Sequence, residues 1–147
     1  MTVPPSEVER RVSLFAGGLR ESGLRLTHQR LEVAREIAGT DLHPSVEAIY
    51  CGVRERVPTI SLDTVYRTLG ALEGLGLIDR VQLMAGPARY DANLEQHHHF
   101  ICARCGIIRD LPGTSYEGLE VPDAAADLGE VESITVQLRG LCKECQE

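Results

Sequence analysis

Four cysteines stand as two C-x-x-C pairs, Cys102/Cys105 and Cys142/Cys145, and three consecutive histidines, His97, His98 and His99, come just before the first pair. Each pair offers two sulfurs from one tight turn, and four thiolates so spaced suit a tetrahedral zinc ion about 2.3 Å from each sulfur. Such a site is closed and structural. In a reducing compartment paired cysteines hold metal more often than they form disulfides. Residues 106–141 separate the pairs, more than a single zinc ribbon spans, so the zinc must tie two distant elements together.

The histidines suggest a second metal of different character. If His97 to Cys102 is a strand, alternate side chains share a face, so His97 and His99 point one way and His98 the other. Asp110, on the strand after Cys105-Gly106, and Asp91, at the end of a hairpin, are carboxylates that could join them. His43, just before a helix, is a further candidate. Imidazole mixed with carboxylate suits Fe(II), Mn(II) or zinc without the softness of four thiolates. Taken singly, a histidine before a helix reads as a surface residue and an aspartate at a hairpin end as a turn former. An H-x-H on a strand beside a zinc motif is the stronger signal. The fifth cysteine, Cys51, reads as a small buried hydrophobe on a helix rather than a redox thiol.

The elements that must carry these groups fit a chain of 147 residues with 43% hydrophobic content, enough for one or two small domains. No stretch has the apolar length of a membrane span, and Pro4, Pro5 and several charges precede any apolar run, so a cytoplasmic protein is expected. The formal charge of −7 is uneven: residues 1–92 carry 11 basic against 12 acidic side chains, residues 93–147 carry 4 against 10. An acidic chain is a poor candidate for nucleic acid, but all 11 of those N-terminal cations are arginines, enough for one basic face.

Helices fill the first part. Thr27 caps a helix over about His28 to Ala38, with Leu31, Ala34, Ile37 and Ala38 at helical spacing. Pro44 is placed in the first turn of a third helix, with Val46, Ile49, Tyr50 and Val53 inward, ending near Pro58. Ser61 caps a fourth, whose Val65, Leu69 and Leu72 form the buried stripe while Asp63, Arg67, Gly70 and Ala71 face outward, flanked by Thr64 and Tyr66. Leu77 to Met84, a Gly86-Pro87 turn and Ala88 to Asp91 read as a hairpin. Helices followed by a hairpin predict a winged helix-turn-helix over residues 1–92, its small, polar helix face suited to a major groove. Residues 93–147 predict a small α/β domain: strands over Gly106 to Leu111 and Val131 to Leu138, and a short helix over Pro122 to Leu128, as a βαβ-like unit. The fold class is therefore α+β.

Five segments, Leu26-Thr27-His28-Gln29-Arg30, His43-Pro44-Ser45, Ser61 to Leu69, Arg89-Tyr90-Asp91 and His97 to Gly106, together with Cys142 and Cys145, resemble the ferric uptake regulator (Fur) family in order along nearly the whole chain. The resemblance implies a homodimeric, metal-responsive repressor of transcription, not an enzyme, acting on a pseudo-palindromic DNA operator, with a dimerisation domain at the C-terminus. It implies that Tyr66 and Arg67, with Thr64, meet the major groove and that Arg25 reaches the minor groove. It implies Zn2+ on the four cysteines and Fe2+ or Mn2+ on His43, Asp91, His97, His99 and Asp110. Iron-sensing members usually carry Glu at the position of Asp91, so Asp91 and Asp110 look like the peroxide-sensing, PerR-type branch. In that branch Fe(II) and hydrogen peroxide oxidise ligand histidines, at positions matching His43 and His97. An iron-responsive repressor is the runner-up. Zinc sensing fits less well, because that branch commonly has a cysteine near Tyr90-Asp91. A third metal site is not expected, since His98, Gln96 and Ser133-Ile134 depart from the family's accessory pattern. Two readings from other classes are a two-histidine, one-carboxylate iron enzyme and a zinc-stapled interaction module.

Overall fold

The structure, a computed structural model, describes residues 3–83 and 85–147; Met84, the expected end of the first hairpin strand, lies outside the described residues. The chain is α+β and divides into two compact units, Met1–Leu94 and Glu95–Glu147.

The first unit opens with α1 (Pro5–Glu21), an element for which the sequence had suggested no bounds. Pro5 sits in its first turn, where a missing N–H costs nothing, and Val12, Phe15, Ala16 and Leu19 recur at helical spacing as its buried face. Three further helices each begin at a hydroxyl cap. Thr27 accepts from the Arg30 N–H ahead of α2 (His28–Ala38), Ser45 from Ala48 ahead of α3 (Val46–Arg56), and Ser61 from Thr64 ahead of α4 (Leu62–Gly74). Pro44 therefore stands one residue before the cap rather than in the first turn of α3. The reason is local: the Ser45 side chain replaces the missing backbone partner of Ala48, which a proline cannot do.

Val33, Ala34, Ile37, Ile49, Val53, Val65, Leu69 and Leu72 close one core with Phe15 and Leu19. Each large side chain so buried contributes about 1.5–3 kcal/mol before entropy is counted. On α2, Val33 takes the inward place expected of Leu31, which is half-buried. On α3 the buried residues are Val46, Ile49 and Val53, with Tyr50 half-buried. Cys51 stands about 200° round the helix from Ile49 and is exposed, correcting the expectation that it is a buried hydrophobe. Arg11, 6% exposed, fastens α1 to the end of α2 by donating to the Ala38 carbonyl at 3.1 Å and to Asp41 at 3.2 Å. Strands β1 (Asp79–Val81) and β2 (Arg89–Asp91) pair antiparallel with Asp79 opposite Asp91, forming the wing of a winged helix.

The second unit is a three-stranded sheet in the order β4-β3-β5, with β3 (His97–Cys102) in the centre, β4 (Ile108–Pro112) antiparallel to it and β5 (Gln137–Gly140) parallel. Strands β4 and β5 lie on opposite sides of β3 and run antiparallel to each other, so they and the helix between them do not form the expected βαβ-like unit. The last strand is also shorter and later than the expected Val131 to Leu138. Its register pairs Cys102 with Gly140 and His99 with Gln137, and just ahead of it the His99 N–H reaches the Val136 carbonyl at 3.1 Å. One 3₁₀ turn (Gly113–Tyr116) and two single-turn helices, α5 (Asp123–Ala126) and α6 (Lys143–Gln146), complete the unit. Its buried apolar side chains are few, Ile101, Cys102 and Ile108, while Leu119, Val121, Leu128, Val131, Leu138 and Leu141 are exposed. A unit this small with so thin a core needs a staple.

Candidate metal centre

The four cysteines meet at the end of β3. Cys102 and Cys105 bracket a knuckle in which the Gly106 N–H bonds the Cys102 carbonyl at 3.0 Å, and Gly106 takes a φ of 75° that a side chain would resist. Cys142 and Cys145 bracket a matching turn at α6, where the Cys145 N–H bonds the Cys142 carbonyl at 3.0 Å. Parallel pairing of β3 with β5 is what carries the second knuckle to the first. One sulfur from each residue lies within 4.8 Å of the others, and Cys105 Sγ is 3.7 Å from Cys142 Sγ. A tetrahedron with arms of about 2.3 Å has an edge of about 3.8 Å, so the set fits zinc. Arg104 crosses between the knuckles by donating to the Cys145 carbonyl.

The thiols differ in acidity. Backbone N–H groups of Cys105 and Cys142 stabilise the Cys102 thiolate and bring its pKa down to about 6. Sharing a hydrogen bond with Cys142 pushes Cys145 up to about 12, and burial raises Cys142. At pH 7 the metal-free site thus holds the thiolate of Cys102 beside the protonated thiols of Cys142 and Cys145. Zinc uptake must expel those protons, so its affinity rises with pH across the neutral range. A pH-indicator titration at pH 7 is expected to show release of about two protons or more per zinc, and a value near zero would contradict this assignment.

The oxygen and nitrogen donors fall in two groups. In the second unit, His97 and His99 share one face of β3, their rings edge to face at 4.7 Å, and antiparallel register sets Asp110 of β4 directly across from His99. Asp110 Oδ1 lies 3.4 Å from His97 Nε2 and 3.5 Å from His99 Nε2. The Nδ1–H of His97 donates to the Glu95 carbonyl at 2.5 Å, which leaves the Nε2 lone pair facing a carboxylate. With the imidazole neutral, the two groups offer their lone pairs to one cation. Ligands about 2.1 Å from a tetrahedral ion stand about 3.4 Å apart, which matches both separations. His98 is buried on the other face, where its Nδ1 accepts the Val136 N–H at 3.0 Å and its ring meets Tyr116 edge-on. The Gln96 amide reaches the Ile134 carbonyl at 3.5 Å.

In the first unit, His43 and Asp91 are buried together, 1% and 3% exposed, with His43 Nε2 3.1 Å from Asp91 Oδ2. His43 is not the surface residue that its position alone suggested, and Asp91, though buried, also forms the turn that its position suggested. Asp91 Oδ1 accepts the Asn93 N–H at 2.9 Å, fixing the carboxylate. Two contacts here had no signal in the sequence: Arg89 donates to the His43 carbonyl at 3.3 Å, and the Tyr90 N–H to the Pro44 carbonyl at 3.0 Å.

Of the residues singled out for DNA, Tyr66 and Arg67 lie exposed on α4, where Arg67 pairs with Asp63 at 2.9 Å. The Thr64 hydroxyl is 2.9 Å from that of Ser61 at the helix cap. Arg25 is exposed in the segment before α2, its carbonyl accepting from Arg30. No described helix is long and apolar enough to cross a membrane.

Residues 21–138 match the ferric uptake regulator family. The chain is 28% identical over 147 residues to the peroxide-responsive repressor PerR of Staphylococcus aureus, covering all of this chain and 99% of that one. Among solved structures it resembles the Helicobacter pylori ferric uptake regulator Fur, described as having three functional metal-binding sites (TM-score 0.74, 26% identity, 95% and 94% of the two chains). It also resembles the Francisella tularensis regulator with iron (TM-score 0.72, 27% identity, 85% and 96%).

Proposed function

We propose, since the chain belongs to the ferric uptake regulator family, that this metal-responsive transcription regulator is a repressor that senses hydrogen peroxide through Fe(II)-catalysed oxidation of its own ligand histidines. The observation that carries the reading is the His97, His99 and Asp110 group, spaced for a cation and free of sulfur, beside a separate four-cysteine set. Likeness to a peroxide-responsive repressor along the full chain supports it.

In this reading zinc occupies the cysteines, and His43 and Asp91 of the first unit join His97, His99 and Asp110 around one Fe2+ or Mn2+. The first domain, residues 1–92, binds DNA and the second, 93–147, dimerises. Metal favours the DNA-competent arrangement only by as much as it binds that arrangement better, and a near-complete switch needs about 5.5 kcal/mol. Iron held there would supply the redox chemistry that splits hydrogen peroxide, a two-electron oxidant overall, so that one peroxide oxygen replaces an imidazole C–H by C–OH and the other leaves as water. His43 and His97 are the imidazoles assigned this fate. An oxidised ring is a weaker donor, so the chain loses a ligand and releases its operator. With Mn2+ the same residues support repression without this chemistry.

At the operator, Tyr66 and Arg67 with Thr64 are assigned to the major groove and Arg25 to the minor groove. The exposed Arg67–Asp63 pair is worth about 0.3–0.5 kcal/mol, little to give up for a base or phosphate. The exposed Leu119, Val121, Leu138 and Leu141 suit a homodimer interface. A two-fold dimer spaces its recognition helices about 34–36 Å apart, hence a pseudo-palindromic site, in a cytoplasmic protein.

The test is to treat Fe(II)-loaded protein with peroxide and map oxygen addition by mass spectrometry beside a Mn(II)-loaded control. The expected result is addition of 16 Da, one oxygen atom, to peptides bearing His43 or His97 with iron alone. An unmodified chain that still leaves DNA on iron chelation would instead make it an iron-responsive repressor, the reading favoured by the iron-bound neighbour.

A further inference from the structure

We propose that Arg89 is a positioning residue for the regulatory metal, clamping His43 in the left-handed backbone conformation that brings its imidazole to Asp91; this rests on the metal-site reading above.

His43 has a φ of 55°, and no other described residue except glycine has a positive φ. That region is disfavoured for a side chain, and its occurrence calls for outside constraint. Pro44 follows, which disfavours the right-handed helical region at His43 and makes extended backbone the main competing state. In extended form the ring would leave Asp91. Three successive residues of β2 oppose that change. Arg89 donates to the His43 carbonyl at 3.3 Å, the Tyr90 N–H donates to the Pro44 carbonyl at 3.0 Å, and Asp91 Oδ2 faces His43 Nε2 at 3.1 Å.

The platform itself is firm. Tyr90 is 4% exposed in the core, and β2 is paired along its length with β1. Arg80 of β1 lies over the Tyr90 ring at 6.0 Å and bonds Glu73, near the end of α4, at 2.9 Å. The conformation of a metal ligand is thereby set by wing strand β2, whose partner β1 bonds α4 through Arg80 and Glu73. Of the three bonds, only that of Arg89 is made by a side chain that is not itself assigned as a ligand. It can be removed while the donor set is left whole.

The experiment compares wild type, Arg89→Met and Arg89→Lys, all zinc-loaded, by Mn2+ titration calorimetry and by hydrogen exchange of the Tyr90 amide in Mn-free protein. Arg89→Met is expected to weaken Mn2+ about tenfold and to speed Tyr90 exchange at unchanged zinc content, with Arg89→Lys recovering part of both. Wild-type Mn2+ affinity in Arg89→Met would overturn the proposal, whatever the exchange rate. If Arg89→Met does not fold, the same two readouts on Arg89→Lys decide. Should wild type itself take up no Mn2+ beyond its zinc, the metal-site reading fails, and Tyr90 exchange alone then decides whether the clamp exists.

Discussion

Replacing Cys142 with serine is expected to release the zinc and unfold the Glu95–Glu147 unit, read as zinc content falling from about one per chain to near zero together with loss of β-sheet circular dichroism. The magnitudes make this the largest effect of any single change. A structural zinc on thiolates is worth about 10–16 kcal/mol at neutral pH. Against that, the unit buries Ile101, Cys102 and Ile108 as its apolar core, at about 1.5–3 kcal/mol for each large side chain, and must still fix the backbone of some fifty residues at about 1 kcal/mol or more each. Serine cannot replace the sulfur, because its hydroxyl stays protonated and is a poor zinc ligand. The position also joins two ends of the unit: the Cys142 N–H reaches Cys102 Sγ at 3.3 Å. The Met1–Leu94 unit, whose core holds Phe15, Leu19, Ile37, Leu69 and Leu72, should keep its helical signal. A Cys142→Ser protein that retains zinc and sheet would remove the structural role from this site.

The second large effect concerns the other donor set. Changing His99 to alanine is expected to weaken Mn2+ binding by about 100-fold or more and to abolish metal-dependent operator binding, with zinc content unchanged. His99 is opposite Asp110 in the β3–β4 register and 6% exposed, so no neighbouring side chain can be exchanged for it without repacking the strand pair. The informative control is His98, next in sequence and on the opposite face, where it accepts the Val136 N–H. His98→Ala should cost stability in residues 131–136 but leave Mn2+ affinity within a few-fold. Equal losses in the two variants, followed by calorimetry, would mean that the strand as a whole matters and not the face.

The contrast between those neighbours marks where sequence reasoning is strong. Period-two alternation follows from strand geometry alone, so the separation of His97 and His99 from His98 was legible before any coordinates. So were the hydroxyl caps Thr27 and Ser61, each of which answers an orphan N–H three residues on, whereas the Ser45 cap displaced the expected start of α3 at Pro44. The C-x-x-C pairs were legible for the same reason: both sulfurs come from one turn. Arg11 shows the limit even in the core, because its partners at Ala38 and Asp41 lie 27 and 30 residues away.

By itself, then, the sequence determined the starts of α2 and α4, the faces of β3, the two knuckles and the residue types able to hold metal, because each depends on atoms a few bonds or one turn apart. Tertiary structure alone decided that His43 meets Asp91 across 48 residues, that His43 sits at a φ of 55° under Arg89, and that β5 starts at Gln137 beside β3 rather than at Val131. Those outcomes turn on which chain segments pack together. The free energy that selects among packings is spread over the whole core and is written in no local pattern of residues.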